Sequence, residues 1–418
     1  IDPERTASIL TDATDAVLGG ALTVATGLVI AQRDGVEAVA GGFGADGCWE
    51  AALARHAVVA MGRLGGREIG YASDADVLFV HEARDGADDA AAAQEAEAVA
   101  KQVVGLLASA RPHPLEVDSD LRPEGRQGVM SRSLAAYGEY YGRWAALWER
   151  QALLRARACA GDRELGGRFE ELINPLRWAE GGLSTQDLRE IRRIKARVET
   201  ERLPRGINPV RHLKLGPGGL SDVEWSAQVL QLAHAGQITG LRTTSTIAAL
   251  QAAVQGGLLS ADDGGVLVAA WILASRLRCA IVLGTGRASG PRSQVLPVQI
   301  REIRLVGRLI GLGSGREREL EDIYRRSARH TRTVAERIVF ADGGGVQESP
   351  SSASSPSTSA SAARDQAPSS VPGRSAAPVG KTRKRPRRDA GTTGTMRSRG
   401  TGRNRATRRR PEGPYPWS

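Results

Sequence analysis

Two aspartates one residue apart, Asp74 and Asp76, interrupt the apolar run ASDADVLFV, and a Gly65-Gly66 pair precedes them. On an extended strand alternate residues share a face. The two carboxylates therefore point the same way while Val77 and Phe79 pack behind them. Neighbouring carboxylates repel unless a divalent cation sits between them, and a glycine turn lets backbone N–H groups approach a phosphate. The chemistry this supports is metal-assisted transfer at phosphorus. Aspartate pairs of this spacing also occur on solvated strands, but here apolar residues surround the pair.

A second acidic strand follows at 114–121, PLEVDSDL, with Glu116, Asp118 and Asp120 on one face. Two-metal nucleotidyl transfer needs three carboxylates: two hold the ions that bridge a triphosphate, and the third completes the site that activates the attacking oxygen. Asp118 lies mid-strand and is preferred as the third, although spacing alone leaves Glu116 and Asp120 open. Arg63 and Arg67 flank the glycine turn. Phosphate contact and plain solvation fit them equally.

The periodicity predicts a helix at 3–18 stopped by Gly19-Gly20, a strand or a buried helix end at 56–61, strands at 73–81 and 114–121, and a helix at 88–107. From residue 131 onward the period is helical throughout. Helices are expected at 133–158, 163–173, 185–202, 221–235, 244–255, 260–282, 298–311 and 317–340, with glycine and proline between them. The expected class is α+β: a catalytic domain at 1–130, a helical bundle at 131–341, and a Ser/Pro- and Arg-rich tail at 342–418. The tail has almost no apolar content and is expected to be disordered.

The formal net charge of +10 over 418 residues belongs to that tail. Residues 342–418 hold 15 of the 57 Lys and Arg and 5 of the 47 Asp and Glu, leaving 42 of each before them. The folded part is thus neutral, and a nucleic-acid partner is expected only as weak contact through the tail. Cys48, Cys159 and Cys279 are widely spaced and form no C-x-x-C pair, so neither a disulfide framework nor a zinc site is suggested, and a reducing compartment fits. The apolar stretch at 21–31 is too short to span a bilayer, and no signal peptide is visible. A cytoplasmic protein without membrane contact is expected. It opens on Ile1 and is read as a fragment.

Other signatures are missing or have plain explanations. There is no G-x-x-x-x-G-K-[ST] loop, and no histidine pair has zinc spacing. Asp222 and Glu224 follow a glycine turn at a helix start, where capping by the helix dipole is the simplest account. Trp144 and Trp148 have core-like spacing on the expected helix at 133–158.

Five blocks carry a further signal in order: GRLGGREIGYASDADVLFVHE, EVDSDLRPEGRQG, ALWERQALLRARACAGD, IRRIKARVETERLP and HLKLGPGGLSDVEWSAQVLQL. Together they make residues 1–341 resemble the glutamine synthetase adenylyltransferase, or adenylyl-removing enzyme, family. Its members carry two polymerase-β-like nucleotidyltransferase domains, each followed by a helical domain. The blocks LRTTSTIAALQAAVQGGLLSADD and YRRSARHTRTVAERIVF look most like the C-terminal, adenylylating half.

The resemblance implies transfer of AMP from ATP to a tyrosine of glutamine synthetase, and a PII-type signalling protein as a further partner. It also implies Mg²⁺ held by Asp74, Asp76 and Asp118, with Gly65, Gly66, Ser73 and Arg63 bordering the triphosphate. The alternatives are the adenylyl-removing half, a uridylyltransferase of the same fold, or a nucleic-acid-binding protein acting through its tail.

Overall fold

Strands β1 (Ala54–Ala60) and β2 (Ala75–Ala83) are mostly buried, with the apolar runs Ala57–Ala60 and Val77–Val80 at their centres, so both of their faces must be covered. They pair antiparallel, Ala54 opposite Ala83 through Ala60 opposite Val77. Between them lies the one-turn helix α2 (Gly62–Gly65). The computed structural model describes residues 1–35, 49–288, 290 and 292–340. Cys48 and the tail expected at 342–418 lie outside the described residues.

Two short strands, β3 (Val117–Asp118) and β4 (Ser131–Ser133), run parallel to β2 along its outer edge, and β5 (Arg157–Gly161) runs antiparallel to β1 on the other side. The order is β3-β2-β1-β5, with β4 beside β2. Because side chains alternate, Val58, Ala60, Val77 and Phe79 face one way and Val59, Leu78 and Val80 the other.

Helices α1 (Pro3–Asp34) and α3 (Asp89–Ser109) cover the first face through Leu18, Leu22, Val99 and Val103. Helices α4 (Leu134–Trp144), α5 (Leu147–Leu153) and α6 (Arg163–Arg177) cover the second through Tyr137, Tyr141, Leu153 and Phe169. Each fully buried large aliphatic side chain contributes about 1.5–3 kcal/mol.

The remaining helices are α7 (Thr185–Glu201), α8 (Leu220–His234), α9 (Thr246–Gln255), α10 (Ala261–Thr285), α11 (Ile300–Leu309) and α12 (Leu320–Val339). Trp271 of α10 sits in a core built from α8, α9, α10 and α12. By length and composition α1 and α10 are apolar enough to cross a membrane, yet Leu18, Leu22 and Ile30 of α1 and Trp271 and Leu277 of α10 are buried inside the protein.

Three expectations are corrected. Helix α1 does not stop at Gly19-Gly20 but continues to Asp34, capped by Gly35. Leu22, Ala25 and Ile30 extend its buried face, and that burial outweighs the roughly 1 kcal/mol each glycine costs in a helix. The helix expected at 133–158 is two helices followed by β5, because the open edge of β1 offers a full ladder of hydrogen bonds. Trp144, expected in the core, is 58% exposed, since α4 ends at that residue.

Asp222 does more than cap α8. Its Oδ2 accepts the Gly218 N–H at 2.7 Å, and its Oδ1 meets the fully buried Lys195 Nζ at 2.5 Å. Lys195 also reaches Glu199 at 3.0 Å, and Arg332 of α12 pairs with Glu199 at 2.7 Å and Asp222 at 3.3 Å. A buried ammonium survives only with such compensation. The network ties α7, α8 and α12 together.

Candidate active site

The ladder between β1 and β2 continues one step past Ala60, where the Met61 N–H donates to Asp76 O at 2.8 Å. The next residue, Gly62, turns at φ +50, and a Cβ there would lie 2.0 Å from Asp76 Oδ2. Only glycine lets the chain enter α2 against that carboxylate. On the other side of β2, Asp76 stands opposite Asp118 in the parallel pairing with β3.

Asp74, Asp76 and Asp118 each present a carboxylate oxygen, and all three lie within 4.8 Å of one another. Asp74 is exposed; the other two are half-buried. Burial, then the neighbouring Asp74, pushes the Asp76 carboxyl up to about 7. Burial also raises Asp118, although the Asp120 N–H, donating to Asp118 Oδ1 at 2.7 Å, works the other way. Three oxygen donors that repel each other suit a hard divalent cation, so this donor set fits one.

The acidic strand had left three choices. Asp120 turns to Arg126 at 2.6 Å, and Glu116 is exposed. Among the described residues, Asp118 is the one of the three acids that meets the Asp74–Asp76 pair.

The residues expected to border a triphosphate are placed differently from one another. The Gly65 and Gly66 N–H groups donate inside the turn, to Met61 O at 2.7 Å and Gly62 O at 3.2 Å. Their Cα hydrogens face Arg155: a Cβ at Gly65 would lie 1.8 Å from Arg155 O, and one at Gly66 2.1 Å from the Arg155 guanidinium. The pair thus serves a close backbone approach. Ser73 Oγ accepts the Gly70 N–H at 3.0 Å and shapes the loop that leads into Asp74. Arg63 donates from Nε and Nη2 to Glu68 O, at 2.9 and 2.5 Å, and its Nη1 faces Glu224 of α8 at 3.8 Å.

The bundle brings charges that sequence reasoning missed. Lys214, before α8, is half-buried; desolvation there lowers its pKa, and Asp76 feels its positive charge. Burial, then Arg63, lowers Arg278 of α10 to about 9. Glu224, read only as a capping acid, interacts with Arg63, Lys214 and Arg278. Nothing local in the sequence marks Lys214 or Arg278; only the meeting of loop, α8 and α10 does. Gly62 had a visible signal, standing three residues before Gly65.

The chain matches the family model for glutamate-ammonia ligase adenylyltransferase over residues 4–172, and that for GlnD PII-uridylyltransferase over residues 190–339. Both names denote nucleotidyltransferases, the class whose chemistry three converging carboxylates serve. Bifunctional glutamine synthetase adenylyltransferase/adenylyl-removing enzymes are similar along most of it. Those of Streptomyces coelicolor, Nocardia farcinica and Cutibacterium acnes are 54%, 48% and 45% identical over 289, 291 and 284 residues. These alignments cover 69%, 69% and 68% of this chain, but only 28%, 29% and 28% of the relatives. The chain is similar to members of the glutamine synthetase adenylyltransferase/adenylyl-removing enzyme family and spans under a third of the length of those relatives.

Proposed function

We propose that this chain is an adenylyl-transferring unit that moves AMP from ATP to a tyrosine of glutamine synthetase. The observation that carries this reading is the convergence of Asp74, just before β2, with Asp76 of β2 and Asp118 of β3, in a chain similar to that family. In this reading residues 1–130, together with β4, β5 and α4–α6 that pack on the same sheet, form a polymerase-β-like nucleotidyltransferase domain, and helices α7–α12 form its helical domain. The protein works in the cytoplasm, and a PII-type protein is its regulator.

Asp74, Asp76 and Asp118 would hold Mg²⁺. Bound there, it supplies positive charge to the triphosphate and acidifies the attacking hydroxyl. The tyrosine oxygen forms a bond to the α-phosphorus, the bond to the diphosphate breaks, and diphosphate leaves with the electron pair. A phenol of ordinary pKa about 10 must lose its proton, and Asp118, a half-buried carboxylate of raised pKa, is placed to take it. Lys214 and Arg278 bring positive charge from the bundle, suited to the departing diphosphate.

The test is to incubate the chain with glutamine synthetase, Mg²⁺ and either ATP or UTP, and to read the mass of tyrosine-containing peptides. AMP addition from ATP alone, lost in Asp76→Asn, is expected. Phosphate-driven removal of AMP from adenylylated glutamine synthetase would instead assign the opposite half-reaction. UMP transfer to a PII-type protein would assign uridylylation, the activity named by the second family match.

A further inference from the structure

The backbone between α2 and Asp74 holds two non-glycine residues in the left-handed region, Arg67 at φ 57 and Ala72 at φ 56. Such conformations cost of order 1–3 kcal/mol each and persist only where surrounding bonds impose them. Next to Arg67, the Glu68 side chain is buried and makes three bonds across to other parts of the chain. Its Oε2 accepts from Arg155 Nη1 at 2.6 Å and from Thr246 Oγ1 at 2.9 Å. Its Oε1 accepts the Thr246 N–H at 2.5 Å. Arg155 Nη2 closes the ring by donating to Thr246 Oγ1 at 2.5 Å. All three residues are less than 5% exposed.

The ring joins three separate elements. Glu68 belongs to the loop that ends at Asp74, Arg155 to the segment before β5, and Thr246 opens α9 of the bundle. Glu68 O also accepts two bonds from Arg63, whose own helix packs Gly62 against Asp76. The loop is therefore held at one residue by side chains from both the sheet and the bundle. With so little solvent at the ring, loss of one member leaves a charged partner without its bond.

We infer that Glu68 is a positioning residue of the carboxylate site. Through its buried ring with Arg155 and Thr246, the placement of Asp74 beside Asp76 depends on how α9 sits against the sheet. The inference rests on the metal-site reading above. It gives the bundle a part in catalysis beyond burying surface: a shift of α9 is felt as a change in the geometry of the three carboxylates.

The test uses the full chain and Thr246, because the hydroxyl is removable without leaving a volume change. Mn²⁺ affinity is measured by electron paramagnetic resonance, AMP transfer by steady-state kinetics, and stability by thermal melting. Thr246→Val should weaken Mn²⁺ binding and lower kcat, each about tenfold, the scale of one lost buried bond to a charged group. Thr246→Ser should restore both. Glu68→Gln, which keeps the shape, should act like Thr246→Val.

Unchanged Mn²⁺ affinity and kcat in Thr246→Val at a temperature where it is folded would overturn the inference, leaving the ring merely structural. So would a Thr246→Ser variant as impaired as the valine one. If the wild type binds Mn²⁺ but transfers no AMP, the proposed activity fails while the affinity series still decides the inference. A wild type that binds no Mn²⁺ at these carboxylates overturns both.

Discussion

Gly62 and Asp76 share one small volume, with room for the Asp76 carboxylate only because residue 62 has no side chain: a Cβ there would come within 2.0 Å of Asp76 Oδ2. Gly62→Ala must therefore displace the carboxylate as well as bear the left-handed penalty of about 1–2 kcal/mol. The expected outcome is a loss of AMP transfer of at least about tenfold, on the scale of one misplaced catalytic group, with a modest fall in Tm. Kinetics and thermal melts on the same sample check it; wild-type turnover would mean that the contact relaxes harmlessly.

Asp74→Asn, Asp76→Asn and Asp118→Asn should each lower AMP transfer by about a hundredfold or more, the loss seen when one preorganised electrostatic group is removed. Asp120→Asn should change it little, because that carboxylate is bound to Arg126 rather than to the trio. Equal losses at positions 118 and 120 would show that the pairing of β2 with β3 does not select the third acid.

The pH dependence of stability follows from Asp76. Its carboxyl is raised to about 7 in the folded protein, against an unfolded value near 4. Between those values the folded state keeps a proton that the unfolded chain has released. Metal-free stability from this group is thus full below about 4 and lost as pH rises through about 7. The Tm difference between Asp76→Asn and wild type, measured in chelator, should grow in favour of the variant from pH 5 to pH 8. Saturating Mg²⁺ should narrow it.

Lys195 and Asp222 form an ion pair of 2.5 Å inside the bundle. Lys195→Met leaves Asp222 buried with a weaker partner in Arg332, and should destabilise by about 3–5 kcal/mol in urea titration. An unchanged midpoint would mean that Arg332 and the Gly218 N–H suffice for Asp222.

Removing residues 342–418 should leave turnover at moderate salt unchanged, since every candidate site residue precedes them. Comparing the full chain with one ending at Ala341, with glutamine synthetase as substrate, tests this. A large fall would give the basic tail a part in substrate docking.

Local pattern was enough for several features. The alternation around Asp74 and Asp76 is a property of a period of two and marks that pair in the sequence, while the third acid stayed open among Glu116, Asp118 and Asp120 until β3 paired with β2. The apolar run at 77–80 likewise marks β2 as a buried strand, whereas 56–61 reads equally as a strand or a buried helix end until it pairs with β2. Tertiary structure decided the rest, because the energies involved arise between distant segments. Strand β5 forms where the sequence reads helical, because β1 has an open edge to fill. Helix α1 passes through two glycines because the sheet rewards its continuation to Asp34. Gly65 and Gly66 look like a phosphate turn, yet their close approach is to Arg155, about ninety residues away in sequence. Lys214, Arg278 and the ring of Glu68 with Arg155 and Thr246 have no local signature. Packing between distant segments brings the charges of Lys214 and Arg278 toward the carboxylates and closes the ring.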